Sequence, residues 1–208
     1  MVKADIKLVA GGSQRRQQLA DLSDDELMLL CAGGQDAPFE TLVDRHQSLL
    51  VGYAMRFLGE RQLAREVVQD VFITAWEERA SYRPQGRFRA YLIAIAFNRC
   101  RAAARRRQSA HARHSEVAPD EAPAAGSVSP GVEGLPLEQM LEAERAARLH
   151  RELLTLDERT RSALILRFFH GLSYDEISAA TGRRTGTLKS QVSRGLRTLY
   201  QRLSEESR

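Results

Sequence analysis

Between Arg183 and Arg197 the chain carries five cations and no acid: Arg183, Arg184, Lys189, Arg194 and Arg197. Thr187, Ser190 and Ser193 are interleaved with them. Guanidinium and ammonium groups attract phosphate, and either can pair with guanine O6 and N7. Hydroxyls suit both phosphate and base edges. Lys189, Ser193 and Arg197 recur every four residues, so on a helix they point the same way. The chemistry this pattern offers is recognition of duplex nucleic acid. A solvated helix face is the competing reading of such cations. The mixing with hydroxyls and the position at the start of a helix weigh against it.

The elements that would hold these groups are legible on either side. Ser173 followed by Glu176 is a capping box, which opens a short helix through Ile177 and Ala180. Gly182 is its natural stop. Thr185 or Thr187 can cap the next helix, in which Leu188, Val192, Leu196, Leu199 and Leu203 share one face. Two helices joined by a glycine turn, the second with a basic face, describe a helix-turn-helix.

Composition bounds the rest. With 208 residues, 43% hydrophobic and 28% charged, the chain suits a globular protein of one or two domains. The net charge is +4, but its distribution says more. Phe97 to Arg113 holds six arginines and no acid, whereas Ser115 to Glu144 holds seven acids and no Lys or Arg. Such segregation implies a nucleic-acid surface and a separate tether. Cys31 and Cys100, the only cysteines, have no metal-ligand spacing and read as buried thiols. No apolar run resembles a signal peptide or approaches a membrane span, so a cytoplasmic protein without membrane insertion is expected.

Residues 1–20 read as a flexible tail. Ser23 and Glu26 form another capping box, and Gly33-Gly34 ends the helix it opens. Phe39, Leu42, Val43, His46, Leu49, Leu50, Tyr53, Ala54 and Phe57 give a long helical stripe in which His46 is a core or boundary residue. A helix over 62–79 follows, then a loop at 81–86 containing Pro84, then a helix over 87–107 with arginines gathering at its end. There they suit either the helix dipole or nucleic acid. From 108 to 136 Pro, Gly, Ala, Ser and acids dominate, which predicts a flexible acidic linker. Helical pattern resumes at Leu137. Asp157 caps a helix through Ala163, Leu164, Leu166 and Phe168, stopped at Gly171. The predicted fold is all-α: two small helical domains, 21–107 and 137–204, the second carrying the helix-turn-helix. An acidic linker lying against Arg105 to Arg107 would give a compact free state.

Two blocks now resemble a known family. FETLVDRHQSLLVGYAMRFLGERQLAREVVQDVFITAWE with FRAYLIAIAFNRCRAAARRR is similar to region 2 of bacterial sigma factors. LTLDERTRSALILRFFHGLSYDEISAATGRRTGTLKSQVSRGLRTL is similar to region 4. With no region 3 between them, the whole resembles the extracytoplasmic-function (group IV) sigma factors of the sigma-70 family. The resemblance implies partners: core RNA polymerase, promoter DNA and an anti-sigma factor.

Residue by residue, it places Glu66, Gln69, Asp70, Phe72 and Trp76 on the polymerase clamp helices, with core packing the alternative for the two aromatics. It places Tyr82, Arg83, Arg87, Phe88, Arg89 and Tyr91 around an unstacked base of the −10 element, Phe88 having a core alternative. Stacking planes and cations are what such a strand needs. Asn98, Arg101 and Arg105 flank the same strand or meet phosphates of the adjoining duplex. Arg183, Arg184, Thr187, Lys189, Ser190, Ser193, Arg194 and Arg197 fall on the −35 reader, the first two in the turn, where they suit phosphate. Departures from the family pattern are Tyr91 where Trp is common, Ala102 where Asp is common and Gln191 where Arg is frequent. Glu66 keeps the acid that often precedes the valines.

The reading that follows is a promoter-specificity subunit with no catalytic residues, cofactor or metal of its own. A self-sufficient helix-turn-helix regulator is the alternative; it would bind a palindrome tightly without polymerase. An enzyme would need convergent polar groups, but His46, His111, His114, His150 and His170 are scattered and no phosphate loop or nucleophile motif stands out.

Overall fold

The computed structural model describes residues 17–115 and 137–205. Every long regular element among them is a helix, and none of the described residues forms a strand. Helix α1 (Asp24–Ala32) opens on the expected box: the Glu26 amide donates to Ser23 Oγ at 3.3 Å and the Ser23 amide to Glu26 Oε2 at 2.8 Å. Residues 17–20, expected in the tail, instead form a helical turn. Leu19 in that turn is buried, and Arg45 donates to the carbonyls of Leu19, Ala20 and Leu22. The remaining tail residues, 1–16, lie outside the described residues.

Helix α2 (Ala37–Leu58) buries Leu42, His46, Leu50, Tyr53, Ala54 and Phe57, most of the predicted stripe. It ends at Gly59, whose φ of 75° favours glycine. Helix α3 (Arg61–Glu77) turns tightly through a 3-10 segment (Glu78–Ser81) into the loop before α4 (Phe88–Ser115). Helix α4 runs eight residues into the expected linker. No Gly or Pro stands between Gly86 and Pro119 to stop it, and Ala and Gln are good helix formers. The rest of that linker, 116–136, lies outside the described residues.

The C-terminal unit begins with α5 (Leu137–Thr155). Asp157 accepts from the amides of Arg159 and Thr160, as its capping role requires, and opens α6 (Glu158–Leu164). A π turn (Ile165–Phe169) follows. Its wider winding rotates the face, so Leu164, Ile165 and Leu166 are buried while Phe168, expected inward, is 57% exposed. The capping box at Ser173 opens α7 (Tyr174–Thr181), and Gly182 at φ 68° closes it. Helix α8 (Thr185–Glu205) already contains both threonines expected to cap it.

Two helical units result, α1–α4 and α5–α8; their buried apolar residues form one cluster, with Leu154 of α5 packed on Gly59 at the end of α2, and polar contacts run along the same seam. Tyr53 on α2 and Ser162 on α6 share a buried hydroxyl–hydroxyl bond of 3.0 Å. Arg161 donates to the carbonyls of Phe57, Leu154 and Leu156. Arg89 Nη2 donates to the His170 carbonyl at 2.8 Å, and Arg101 pairs with Glu158 at 3.0 Å. Arg56 lies over the Phe169 ring and Arg183 over the Phe97 ring. Arg89 Nε, Arg161 Nε, Arg183 Nη2, His150 Nε2 and His170 Nε2 are buried at or near this seam without a hydrogen-bond partner among the described residues. Each such group costs about 1–3 kcal/mol, more when charged.

Candidate nucleic-acid interface

Helix α8 is strongly two-sided. Leu188, Val192 and Leu199 are buried, and Gly195 sits flush against α6: a Cβ there would stand 2.6 Å from Thr160 Cγ2 and 2.8 Å from Leu164 Cδ1. That close approach fixes how the helix lies in the unit. The opposite face presents Arg184, Thr187, Lys189, Ser190, Ser193, Arg194 and Arg197, all exposed. Lys189 Nζ stands 5.8 Å from the Tyr174 ring centroid, and Ser190 Oγ donates to the Gly186 carbonyl at 3.1 Å. An exposed helix with five unobstructed hydroxyls and cations on its first three turns suits a major groove.

Arg183 differs from these. The turn was expected to offer it to phosphate, but the structure folds it inward. Its Nη1 donates to the Arg159 carbonyl at 2.8 Å and to Gln191 Oε1 at 2.9 Å, and its Nε to Thr181 Oγ1 at 3.1 Å. Burial is the main cause that lowers its pKa from the usual guanidinium range. Gln191, noted as a departure from the family pattern, is buried as its partner. Arg183 is thus a brace between the turn and α8 rather than a surface cation.

The loop after the 3-10 turn and the first turns of α4 enclose a cleft of about 400 Å³. Tyr82, Arg83, Arg87 and Tyr91 line it, and Ala179 of α7 forms part of its wall. Tyr82 donates to Asp25 Oδ1 at 2.5 Å, and Tyr91 to Glu78 Oε2 at 3.0 Å. Burial, then these carboxylates, push both phenols well above their ordinary pKa. The Gly86 amide also donates to Asp25, so one carboxylate pins both the loop and its tyrosine. Phe88 takes the core alternative: it is 2% exposed and packs against His46, Tyr82 and Tyr91. It supports the aromatic cluster from beneath and offers no surface for stacking. Asn98 and Arg105 are exposed on the continuing helix. Arg89 and Arg101 are not, being engaged across the seam.

On α3 the polar face is open: Glu66, Gln69 and Asp70 are exposed. Phe72 and Trp76 are half-buried, both packing against Phe39. Trp76 is also covered by the Arg79 guanidinium and forms one wall of a groove with Phe39 and Val43, rimmed by Asp36, Glu40 and Asp44. Ile73, which the sequence reading passed over, is 54% exposed in the middle of the polar face. The signal was present: an aliphatic residue at helical spacing between Asp70 and Glu77 interrupts a stripe of charge.

Cys31 and Cys100 are both buried, and burial raises their thiols to about 11 and about 12. Neither presents a reactive thiolate at neutral pH. Asp24 holds His46 at 2.7 Å and Arg45 at 2.9 Å, and those bonds lower its own pKa despite partial burial. No metal-holding cluster of His, Cys, Asp or Glu occurs among the described residues. None of the described helices is long and apolar enough to cross a membrane.

The family model for Sigma-70 region 2 matches residues 42–110, and that for Sigma-70, region 4 matches residues 146–199. The RNA polymerase sigma-H factor of Pseudomonas aeruginosa is 30% identical over 180 residues, which cover 85% of this chain and 91% of that one. The ECF RNA polymerase sigma factor SigW of Bacillus subtilis is 27% identical over 83% of this chain and 92% of its own. Among solved structures, CnrH in complex with the cytosolic domain of CnrY is similar with a TM-score of 0.63 and 25% identity, over 88% of this chain and 97% of that chain. The sigma factor RpoE in complex with the anti-sigma factor NepR, from Bartonella quintana, gives a TM-score of 0.62 at 25% identity, over 80% and 96%.

Proposed function

The chain belongs to the sigma-70 family, in its extracytoplasmic-function group, and on that premise we propose how its residues divide the work of promoter recognition. As a sigma factor it binds core RNA polymerase, recognises −35 and −10 promoter elements and nucleates melting, and an anti-sigma factor holds it inactive. It works in the cytoplasm as an initiation factor, and the bond-making chemistry belongs to the polymerase.

Helix α8 reads the −35 duplex through Lys189, Ser193, Arg194 and Arg197, with Arg184, Thr187 and Ser190 on phosphate or neighbouring bases. The cleft at Tyr82, Arg83, Arg87 and Tyr91 receives a −10 base. Extruding that base costs a few kcal/mol, which stacking and cationic contacts must offset. Asn98 and Arg105 follow the strand along α4. The α3 face of Glu66, Gln69, Asp70 and Ile73, with Trp76 at its end, docks on polymerase. There Ile73 supplies the apolar centre that a charged rim alone lacks.

The observation that carries this division is the exposure of Arg184 and, on one face of α8, of Thr187, Lys189, Ser190, Ser193, Arg194 and Arg197, in a chain that carries region 2 and region 4 in order. The test is transcription from a randomised promoter library by core polymerase with and without the protein. The expected result is a set of start sites that require the protein and share one −35 and one −10 element. Tight binding of a palindrome by the protein alone, without stimulated transcription, would instead establish a self-sufficient regulator.

A further inference from the structure

Three successive acids open α1, and each has a different partner. Asp24 holds Arg45 and His46 of α2. Glu26 closes the capping box with Ser23. Asp25 turns instead to the loop that precedes α4: its Oδ1 accepts from the Tyr82 hydroxyl at 2.5 Å and its Oδ2 from the Gly86 amide at 2.6 Å. An acid in the first turn of a helix commonly serves the helix dipole alone. Asp25 does more, because among the described residues its bond to Gly86 is the one hydrogen bond that ties residues 83–86 to another element. The loop's backbone is otherwise bonded at its two ends, from the Tyr82 amide to the Arg79 carbonyl at 3.4 Å and from the Tyr91 amide to the Arg87 carbonyl at 3.0 Å.

Resting on the functional reading above, we propose that Asp25 is a positioning residue for the −10 element: it holds the loop and the Tyr82 ring in the form that receives the base, without touching DNA itself. Arg83 and Arg87, the two exposed cations of the cleft, stand on either side of the segment that Gly86 anchors. Gly86 has φ 67°, a conformation that glycine enters and leaves freely, so an outside bond is what keeps the segment in one form. The Tyr82 ring lies 5.3 Å from that of Tyr91 and 5.6 Å from that of Phe88, so its setting carries through the aromatic cluster. A loop fixed before DNA arrives spares each binding event the cost of ordering it. This support comes from α1, ahead of residue 42, where the match to region 2 begins.

The test is abortive initiation by the full-length protein with core polymerase, on the promoter selected by transcription and on the same promoter with its −10 element scrambled. The ratio of the two rates is the −10 preference, and affinity for core polymerase is measured beside it. Asp25→Ala removes both bonds to the loop, and Tyr82→Phe removes one of them while keeping the ring. Asp25→Asn can keep both without the charge: its amide oxygen accepts from Gly86 while its N–H donates to the Tyr82 oxygen. Glu26→Gln removes a neighbouring first-turn charge and keeps the capping box, so it isolates the helix dipole. Arg83→Ala with Arg87→Ala tests the cleft itself.

Asp25→Ala is expected to lower the −10 preference by about tenfold, with the rate on the scrambled promoter and the affinity for core polymerase unchanged. Asp25→Asn recovers most of the preference, and Glu26→Gln leaves it intact. Tyr82→Phe costs less than Asp25→Ala, and the loss in the double variant falls short of the two single losses combined, because they share a bond. An unchanged preference in Asp25→Ala overturns the proposal. So does an equal fall on both promoters, which would mark a residue that only stabilises the fold, or an equal loss in Glu26→Gln, which would mark the helix dipole. If the preference survives removal of Arg83 and Arg87, the cleft is not the −10 site and the functional reading fails along with the proposal. If it falls there but holds in Asp25→Ala, only the positioning role fails.

Discussion

On the proposed reading single side chains carry the recognition, and their types and spacing stand in the sequence. Cations and hydroxyls at fixed spacing were readable because exposed polar groups on a helix follow its period. The inward turn of Arg183 is not legible, because a buried guanidinium looks the same in sequence as an exposed one. Only the fold brings the Arg159 carbonyl and Gln191 to it. Replacing Lys189 or Arg197 with Ala should lower −35-dependent transcription by the loss of about 1–3 kcal/mol of discrimination, with polymerase affinity intact. Equal loss of both would mean misfolding. Arg183→Ala should behave differently: it should lower the melting temperature as well as activity, and Arg183→Lys, which keeps charge but not the fork, should fail to restore either. Retained stability in Arg183→Ala would return that residue to the surface. Asp70→Arg should lower affinity for core polymerase with no change in circular dichroism; unchanged affinity would remove Asp70 from the interface.

Helices were legible wherever a cap or a period marked them. The boxes at Ser23 and Ser173, the Asp157 cap and the stripe of α2 all form as the residues predict. What escaped were boundaries with no local signal. Helix α4 continues to Ser115 because nothing in its sequence stops it, and the π turn at Ile165 moves Phe168 outward through a winding that periodicity cannot anticipate. Gly195 is the element-scale test. Its Cβ position is already filled by Thr160 and Leu164 of α6, so Gly195→Ala should destabilise the protein by about 1–3 kcal/mol through overpacking, despite the better helix propensity of alanine. Thermal unfolding that showed a gain would contradict the close packing of α8 on α6.

At the scale of the whole molecule, two units of modest size meet along a seam that no linear pattern foretold, since it depends on pairs such as Tyr53 with Ser162 and Arg101 with Glu158. The linker acids expected against Arg105 to Arg107 lie outside the described residues, and Arg107 pairs with Glu60 at 3.3 Å. The structure offers direct contact between the units. His170 lies in that contact facing Tyr53, Arg56 and Arg89, and burial followed by the two arginines depresses its pKa to about 4. A base whose pKa is lowered on folding stabilises the folded form fully above its ordinary value of 6.5, and this contribution is lost as pH falls toward 4. The melting temperature should therefore decline from pH 7 to pH 5, and less steeply in His170→Gln; a flat profile in the parent protein would contradict the buried neutral imidazole. The most direct test of the central claim is abortive initiation by purified core polymerase on a selected promoter, with the −35 and −10 elements scrambled separately. The account predicts product only when the protein is present, loss on scrambling either element, and a loss on scrambling −10 that pre-melting the template largely repairs. Product that is independent of the protein, or indifferent to both elements, would contradict it.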